Sequence, residues 1–175
     1  LTAPLVVTNV DQATSIAADL DINKAVTADL ADMGLTSLAL VPGGLRHPIG
    51  FGEAPLLGAA DYAGQTVNVR RDAGVEAILD ALGAKADHSV DTERIRKANK
   101  GELRGIEVSV QQWGAAPLPA VQTPNVTLYN KFDLVLINTK TWQGMSSAQQ
   151  IDLADKLALS VESATAARPT EGQGQ

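Results

Sequence analysis

Two arginines offer the clearest chemistry in this 175-residue chain. Arg46 sits in the Gly-rich run Gly43-Gly44-Leu45-Arg46-His47-Pro48-Ile49-Gly50, and Arg70 closes the short apolar segment Thr66-Val67-Asn68-Val69. An arginine that ends a strand just before a helix stands where open α/β sheets place their ligands. A guanidinium offers a planar fork of donors that matches a carboxylate and stays charged at any relevant pH. Backbone amides at the start of the following helix, around Ala73 and Gly74, would add affinity for an anion. The plain alternative is two surface arginines paired with neighbours such as Asp61 or Asp72.

Glu107 falls on a strand between Ile106 and Val108, where a buried charge is costly without a partner. It either orients an arginine or a ligand, or simply faces solvent on the alternating strand. His47 and His88 are the only histidines. His47, beside Pro48, reads as a loop residue lining a pocket. Neither histidine has partners at a common metal-ligand spacing, so no metal is expected. Trp113, after Gln111-Gln112, is either structural or cleft-facing and counts as a candidate ligand contact. No Gly-x-Ser-x-Gly, P-loop or Gly-x-Gly-x-x-Gly pattern occurs, and no cofactor is expected. A small enzyme using Glu107 with His47 or His88 as acid and base is the second reading.

Composition narrows the partners. The net charge of −6 argues against nucleic acid or an anionic membrane surface. A local pair of arginines can still attract an anion, because screening confines distant charges to about 8–10 Å. With no cysteine, disulfides and thiol chemistry are excluded. No apolar run reaches the roughly 18 residues of a membrane span, and no signal peptide is visible. The chain opens at Leu1, which suggests a processed product or an excised piece with any targeting segment lost.

The elements that must position these residues alternate in type. Pro4 to Val7 looks strand-like; Asp11 to Leu20 and Asn23 to Met33 look helical. Leu35 to Val41 reads as a buried strand ended by Pro42 and a Gly43-Gly44 turn. Gly50 to Pro55 reads as a loop and Leu57 to Ala63 as one helical turn. After the Thr66 to Arg70 strand, Val75, Ile78, Leu79 and Leu82 fall on one helix face, with Gly83 behind them. Asp91 to Lys100 is a helix, Gly105 to Val110 a strand, and Phe132 to Asn138 the strongest strand signal. Ser146-Ser147-Ala148-Gln149 matches a capping box. Such alternation favours an α/β sheet with some parallel strands. The tail 168–175 is expected to be disordered.

The order of these segments resembles the solute-binding proteins of TRAP transporters, of the dicarboxylate-binding type. The resemblance rests on Gly44-Leu45-Arg46, on Asp61 through Gly64 to Arg70, and on Ala81-Leu82-Gly83-Ala84. It continues through Gly101-Glu102-Leu103-Arg104-Gly105-Ile106-Glu107, the Phe132 to Asn138 strand, Trp142 and the Ser147-Ala148-Gln149-Gln150 helix start. It implies a periplasmic-binding-protein-like α/β fold of type II, with a mixed sheet flanked by helices. Since such receptors run to about 300 residues in two lobes of ordinary domain size, it further implies an incomplete receptor. Residues 1–40 would be part of the first lobe and crossover, 41–124 a ligand-binding lobe, and 125–167 a return strand and helix. The implied function is capture of a small organic acid outside the cytoplasm for a TRAP membrane permease, without catalysis. Arg70 would hold the carboxylate and Arg46 would be a second cationic contact. Val108 stands where sialic-acid-type members carry Asn, and polar residues around Asp91 replace a pocket aromatic.

Overall fold

A computed structural model describes residues 6–109, 118–123 and 125–166 of the chain. In order, the elements are α1 (Val10–Ala18), α2 (Leu20–Val26), a 3-10 turn (Ala28–Leu30), β1 (Leu35–Phe51), α3 (Ala59–Tyr62) and β2 (Thr66–Asn68). There follow α4 (Ala73–Ala81), β3 (Lys85–Asp87), α5 (Asp91–Asn99), β4 (Gly105–Val108) and β5 (Ala120–Gln122). The described chain ends with β6 (Tyr129–Asn138), α6 (Thr139–Gly144) and α7 (Ser147–Ala166). Of the strand-like Pro4 to Val7, the first two residues lie outside the described ones, and Val6 and Val7 are not in a strand. The tail 168–175 also lies outside the described residues.

The sheet runs β3-β2-β4-β1-β5, and β6 also pairs with β1. β2 is parallel to both β3 and β4, whereas β1 is antiparallel to β4 and β5. Parallel neighbours need a crossover, and α4 connects β2 to β3 as α5 connects β3 to β4. This is a mixed α/β sheet with helical connections, as the alternating pattern predicts.

The chain divides into two compact units. The first contains Gly44–Asn130 and holds the main core. Leu56, Tyr62, Val67, Val69, Val75, Leu79, Ala84, Leu128 and Tyr129 pack there, with Ile78 and Leu82 against them. The predicted face of α4 is therefore the buried one. Its start is fixed by Asp72, whose Oδ1 accepts from the amides of Gly74 (2.9 Å) and Val75 (3.2 Å).

The second unit contains Val10–Gly43 and the described residues from Lys131 onward. Its helix α7 begins with the predicted capping box: the Gln149 amide donates to Ser146 Oγ at 3.3 Å, and the Ser146 amide to Gln149 Oε1 at 2.9 Å. None of the helix's 20 residues is buried. Leu157 and Val161 instead line an open groove of about 760 Å³ with Leu38 and Leu40.

One element differs sharply from expectation. β1 does not stop at Pro42 but continues to Phe51, so Arg46 and His47 lie on a strand rather than in a loop. The reason is legible at Gly43. A Cβ there would stand 2.6 Å from Asp133 Oδ2 and 3.0 Å from the Lys131 carbonyl oxygen, so the glycine admits a neighbouring strand rather than a turn. Gly44 takes φ +101°, a left-handed backbone that glycine adopts without strain.

Candidate functional site

Three parallel strands end at the same place in the first unit. β2 ends at Asn68 and runs on through Val69, Arg70 and Arg71; β3 ends at Asp87 before His88, Ser89 and Val90; β4 carries Ile106, Glu107 and Val108. These residues, with Arg46 of β1 and Arg94 of α5, line a cavity of about 680 Å³. It occupies the carboxyl ends of parallel strands, where α/β sheets place ligands because the loops and helix starts there are free to vary.

The centre is an ion pair. Arg46 Nε donates to Glu107 Oε2 at 2.7 Å, and Arg46 Nη2 donates to the Glu107 carbonyl at 3.2 Å. The side chains are 10% and 1% exposed, so the charges are largely withdrawn from water together. Burial alone would lower the Arg46 pKa, but the hydrogen bond and charge of Glu107 outweigh it and leave the guanidinium above its ordinary value. Tyr129 is fully buried, and burial followed by the Glu107 charge pushes its phenol pKa up. Glu107 Oε1 also accepts from the Arg70 backbone amide at 3.3 Å. One carboxylate therefore ties together β1, β4 and the end of β2.

Arg70 is held differently. Its side chain is 42% exposed, and its guanidinium stands 3.6 Å from Asp72 Oδ2. That is a loose contact, which leaves donors for a ligand. Backbone order behind it comes from Asn68, whose side-chain Nδ2 donates to Asp87 Oδ1 and to the Ser89 carbonyl, both at 2.8 Å. Asp87 in turn pairs with Lys97 and accepts from Ser89. Burial would raise the Asp87 pKa, but hydrogen bonds from Lys97, Ser89 and Asn68 hold it well below the usual carboxylate range.

The structure brings together three of the five expected contacts: Arg46, Arg70 and Glu107. His47 does not line this cavity; it is 1% exposed, and its Nδ1 donates to the Val126 carbonyl at 3.0 Å. The loop placement expected for it is corrected, because β1 continues through it and pairs it with Val108. Trp113 lies outside the described residues. The acid–base pairing of Glu107 with a histidine does not form: Glu107 is engaged by Arg46 and the Arg70 amide. His88 Nδ1 donates to the Val69 carbonyl at 3.1 Å, and its Nε2 faces Glu76 at 3.2 Å. Among the described residues, no group of three or more His, Asp or Glu is placed to hold a metal ion.

Sequence reasoning missed Arg71 and Arg94. The signal lay in β3, a strand of only three residues, Lys85–Asp87, with charge at both ends. Once it is recognised, Arg94 falls on the helix that follows a parallel strand.

Neither a family model nor a curated protein sequence matches the chain. Solved structures do. A TRAP periplasmic solute-binding protein from Ochrobactrum anthropi matches with a TM-score of 0.78 at 20% identity, over 93% of this chain and 51% of its own. The chain has the fold of the TRAP periplasmic solute-binding proteins. A TRAP periplasmic solute-binding protein of similar fold from Pseudomonas aeruginosa, solved with bound L-malate, gives a TM-score of 0.74 at 16% identity, over 94% of this chain and 58% of that one. Another from Chromohalobacter salexigens, with bound D-glucuronate, gives 0.78 at 16% identity, over 93% and 54%. The chain thus spans a little over half the length of these TRAP receptors. Among its described residues, no helix is long and apolar enough to cross a membrane.

Proposed function

We propose that this chain is the ligand-gripping part of an extracytoplasmic TRAP-type receptor that captures a small organic carboxylate and delivers it to membrane permease subunits. The observation that carries the reading is the placement of Arg70 and Arg46 in one cavity at the carboxyl ends of three parallel strands, with Arg46 braced by Glu107. Arg70 takes the ligand carboxylate through its open guanidinium. Arg46, already neutralised by Glu107, contributes donors and shape rather than net charge. The reading is supported by the bound malate and glucuronate of proteins with this fold. It involves binding and release only, with no covalent step.

Isothermal titration against malate, glucuronate and related acids tests the proposal. Arg70→Ala is expected to weaken binding by about 1.5–3 kcal/mol, the value of hydrogen bonds to a charged group. Unchanged affinity in that variant would overturn the assignment.

A further inference from the structure

The peptide unit that precedes Arg70 is held at both of its polar groups by side chains. Its carbonyl, on Val69, accepts from His88 Nδ1 at 3.1 Å, and its amide, on Arg70, donates to Glu107 Oε1 at 3.3 Å. The two clamps come from opposite sides, since β2 lies between β3, which leads into His88, and β4, which carries Glu107. Holding that peptide plane restricts the direction in which the Arg70 side chain leaves the backbone. The histidine clamp depends on a proton. A carbonyl only accepts, so Nδ1 carries a hydrogen, and in the neutral ring Nε2 is then a bare acceptor. Nε2 stands 3.2 Å from Glu76 Oε1, which also only accepts when ionised. The neutral ring thus satisfies Val69 and opposes Glu76, whereas the imidazolium donates to both.

We infer that His88 is a positioning residue whose second proton closes a latch onto Glu76 behind Arg70, so that the grip on an anion tightens as pH falls through the histidine range. This rests on the carboxylate reading of the cavity and adds its regulation. The charged groups around the ring are Glu76 on α4, Arg70 and Asp72 after β2, and Asp87 on β3, which Lys97 of α5 neutralises. Arg94 of α5 and Glu107 of β4 line the same cavity as His88. Among the described residues, Glu76 is the charged group that meets a ring nitrogen, and it is not one that lines the cavity. Above the histidine range, turning the ring relieves the clash of acceptors, releases the Val69 carbonyl and loosens the aim of Arg70. The protonated form is therefore the tighter binder, and affinity falls as pH rises.

The experiment titrates glucuronate and malate, both largely ionised above about pH 6, into the whole chain. Wild-type affinity is expected to fall by about fivefold or more from about pH 6 to about pH 9, the lower end of ordinary coupling between two sites. Glu76→Gln offers an amide donor to the bare nitrogen and should recover most of the affinity lost at high pH. His88→Asn keeps a donor for Val69 without a titrating ring and should flatten the profile, whereas His88→Ala should bind weakly throughout. A flat wild-type profile overturns the latch and leaves the carboxylate reading standing. A profile that His88→Asn flattens and Glu76→Gln leaves unchanged also overturns it, since the imidazolium charge would then act alone. So does a profile that neither variant alters. If neither acid binds a chain that circular dichroism shows folded, the carboxylate reading falls, and nitrogen NMR of the neutral ring decides the latch by itself. A proton on Nδ1 upholds it, and a proton on Nε2 overturns it.

Discussion

Arg46 and Glu107 face each other across the β1–β4 pair with 2.7 Å between Nε and Oε2, and almost none of either side chain reaches water. A pair withdrawn from solvent is costly to make and more costly to break, because a lone remaining charge keeps the desolvation penalty without its partner. Glu107→Ala should therefore destabilise the chain by about 3–5 kcal/mol, as read by urea unfolding. Glu107→Gln keeps an acceptor and should cost less. If both variants unfold at the wild-type urea concentration, the pair is not a structural brace.

Gly105 carries a second constraint on the same strand. It pairs with Gly50 in the antiparallel register. A Cβ on it would lie 2.3 Å from the Ile49 carbonyl oxygen and 2.7 Å from Leu56 Cδ1. The leucine tip can move, but the carbonyl belongs to the neighbouring strand and cannot. Gly105→Ala should cost about 1–3 kcal/mol through overpacking, with a lowered melting temperature as the measurement. Gly101, whose Cβ would meet nothing within 4 Å but whose φ is +70°, serves as the comparison. Gly101→Ala fails by backbone strain alone, and Gly101→Asn should recover part of the loss because Asn tolerates that conformation.

Asp87 makes stability depend on pH. Its carboxyl is more acidic in the folded chain than in an unfolded one, because Lys97, Ser89 and Asn68 favour the ionised form against the burial that opposes it. A group with a lowered folded pKa stabilises fully above its unfolded value of about 3.9 and loses that contribution as pH falls through the folded value. Wild type should thus exceed Asp87→Asn in stability by a constant margin from neutral pH down to about pH 5, and the margin should shrink below pH 4. A margin that grows on acidification would contradict the network.

How much of this was legible in the sequence follows from what each signal measures. The α4 face and the Ser146 capping box are local patterns with fixed spacing, and both stand as expected. Arg70 was legible because a strand end before a helix is also local. The Gly43-Gly44 pair misled, since glycine marks a turn and a close approach equally well, and only Lys131 and Asp133, some 90 residues on, decide between them. His47 was misplaced for the same reason. β3 was invisible because three residues carry no periodicity, and with it went Arg94. Arg46 was found without its partner being fixed: Glu107 is 61 residues away, a distance that a sequence pattern does not bridge.

The two expected arginines should separate cleanly in experiment. Arg46 is almost fully buried and uses both Nε and Nη2 on Glu107, a fork that a lysine ammonium cannot reproduce. Arg70 is 42% exposed, and among the described residues its guanidinium meets only Asp72, at 3.6 Å. Arg70→Ala should therefore leave unfolding within about 0.5 kcal/mol of wild type, as expected for a surface position, while carboxylate binding collapses. Arg46→Lys should lower stability by about 1.5–3 kcal/mol, the value of hydrogen bonds to a charged group. Its binding defect should follow from the loosened Glu107, which also holds the Arg70 amide. Paired urea unfolding and calorimetric titration of the two variants check this. Equal stability loss in both would mean that Arg70 is a structural residue and not the open arm of the site.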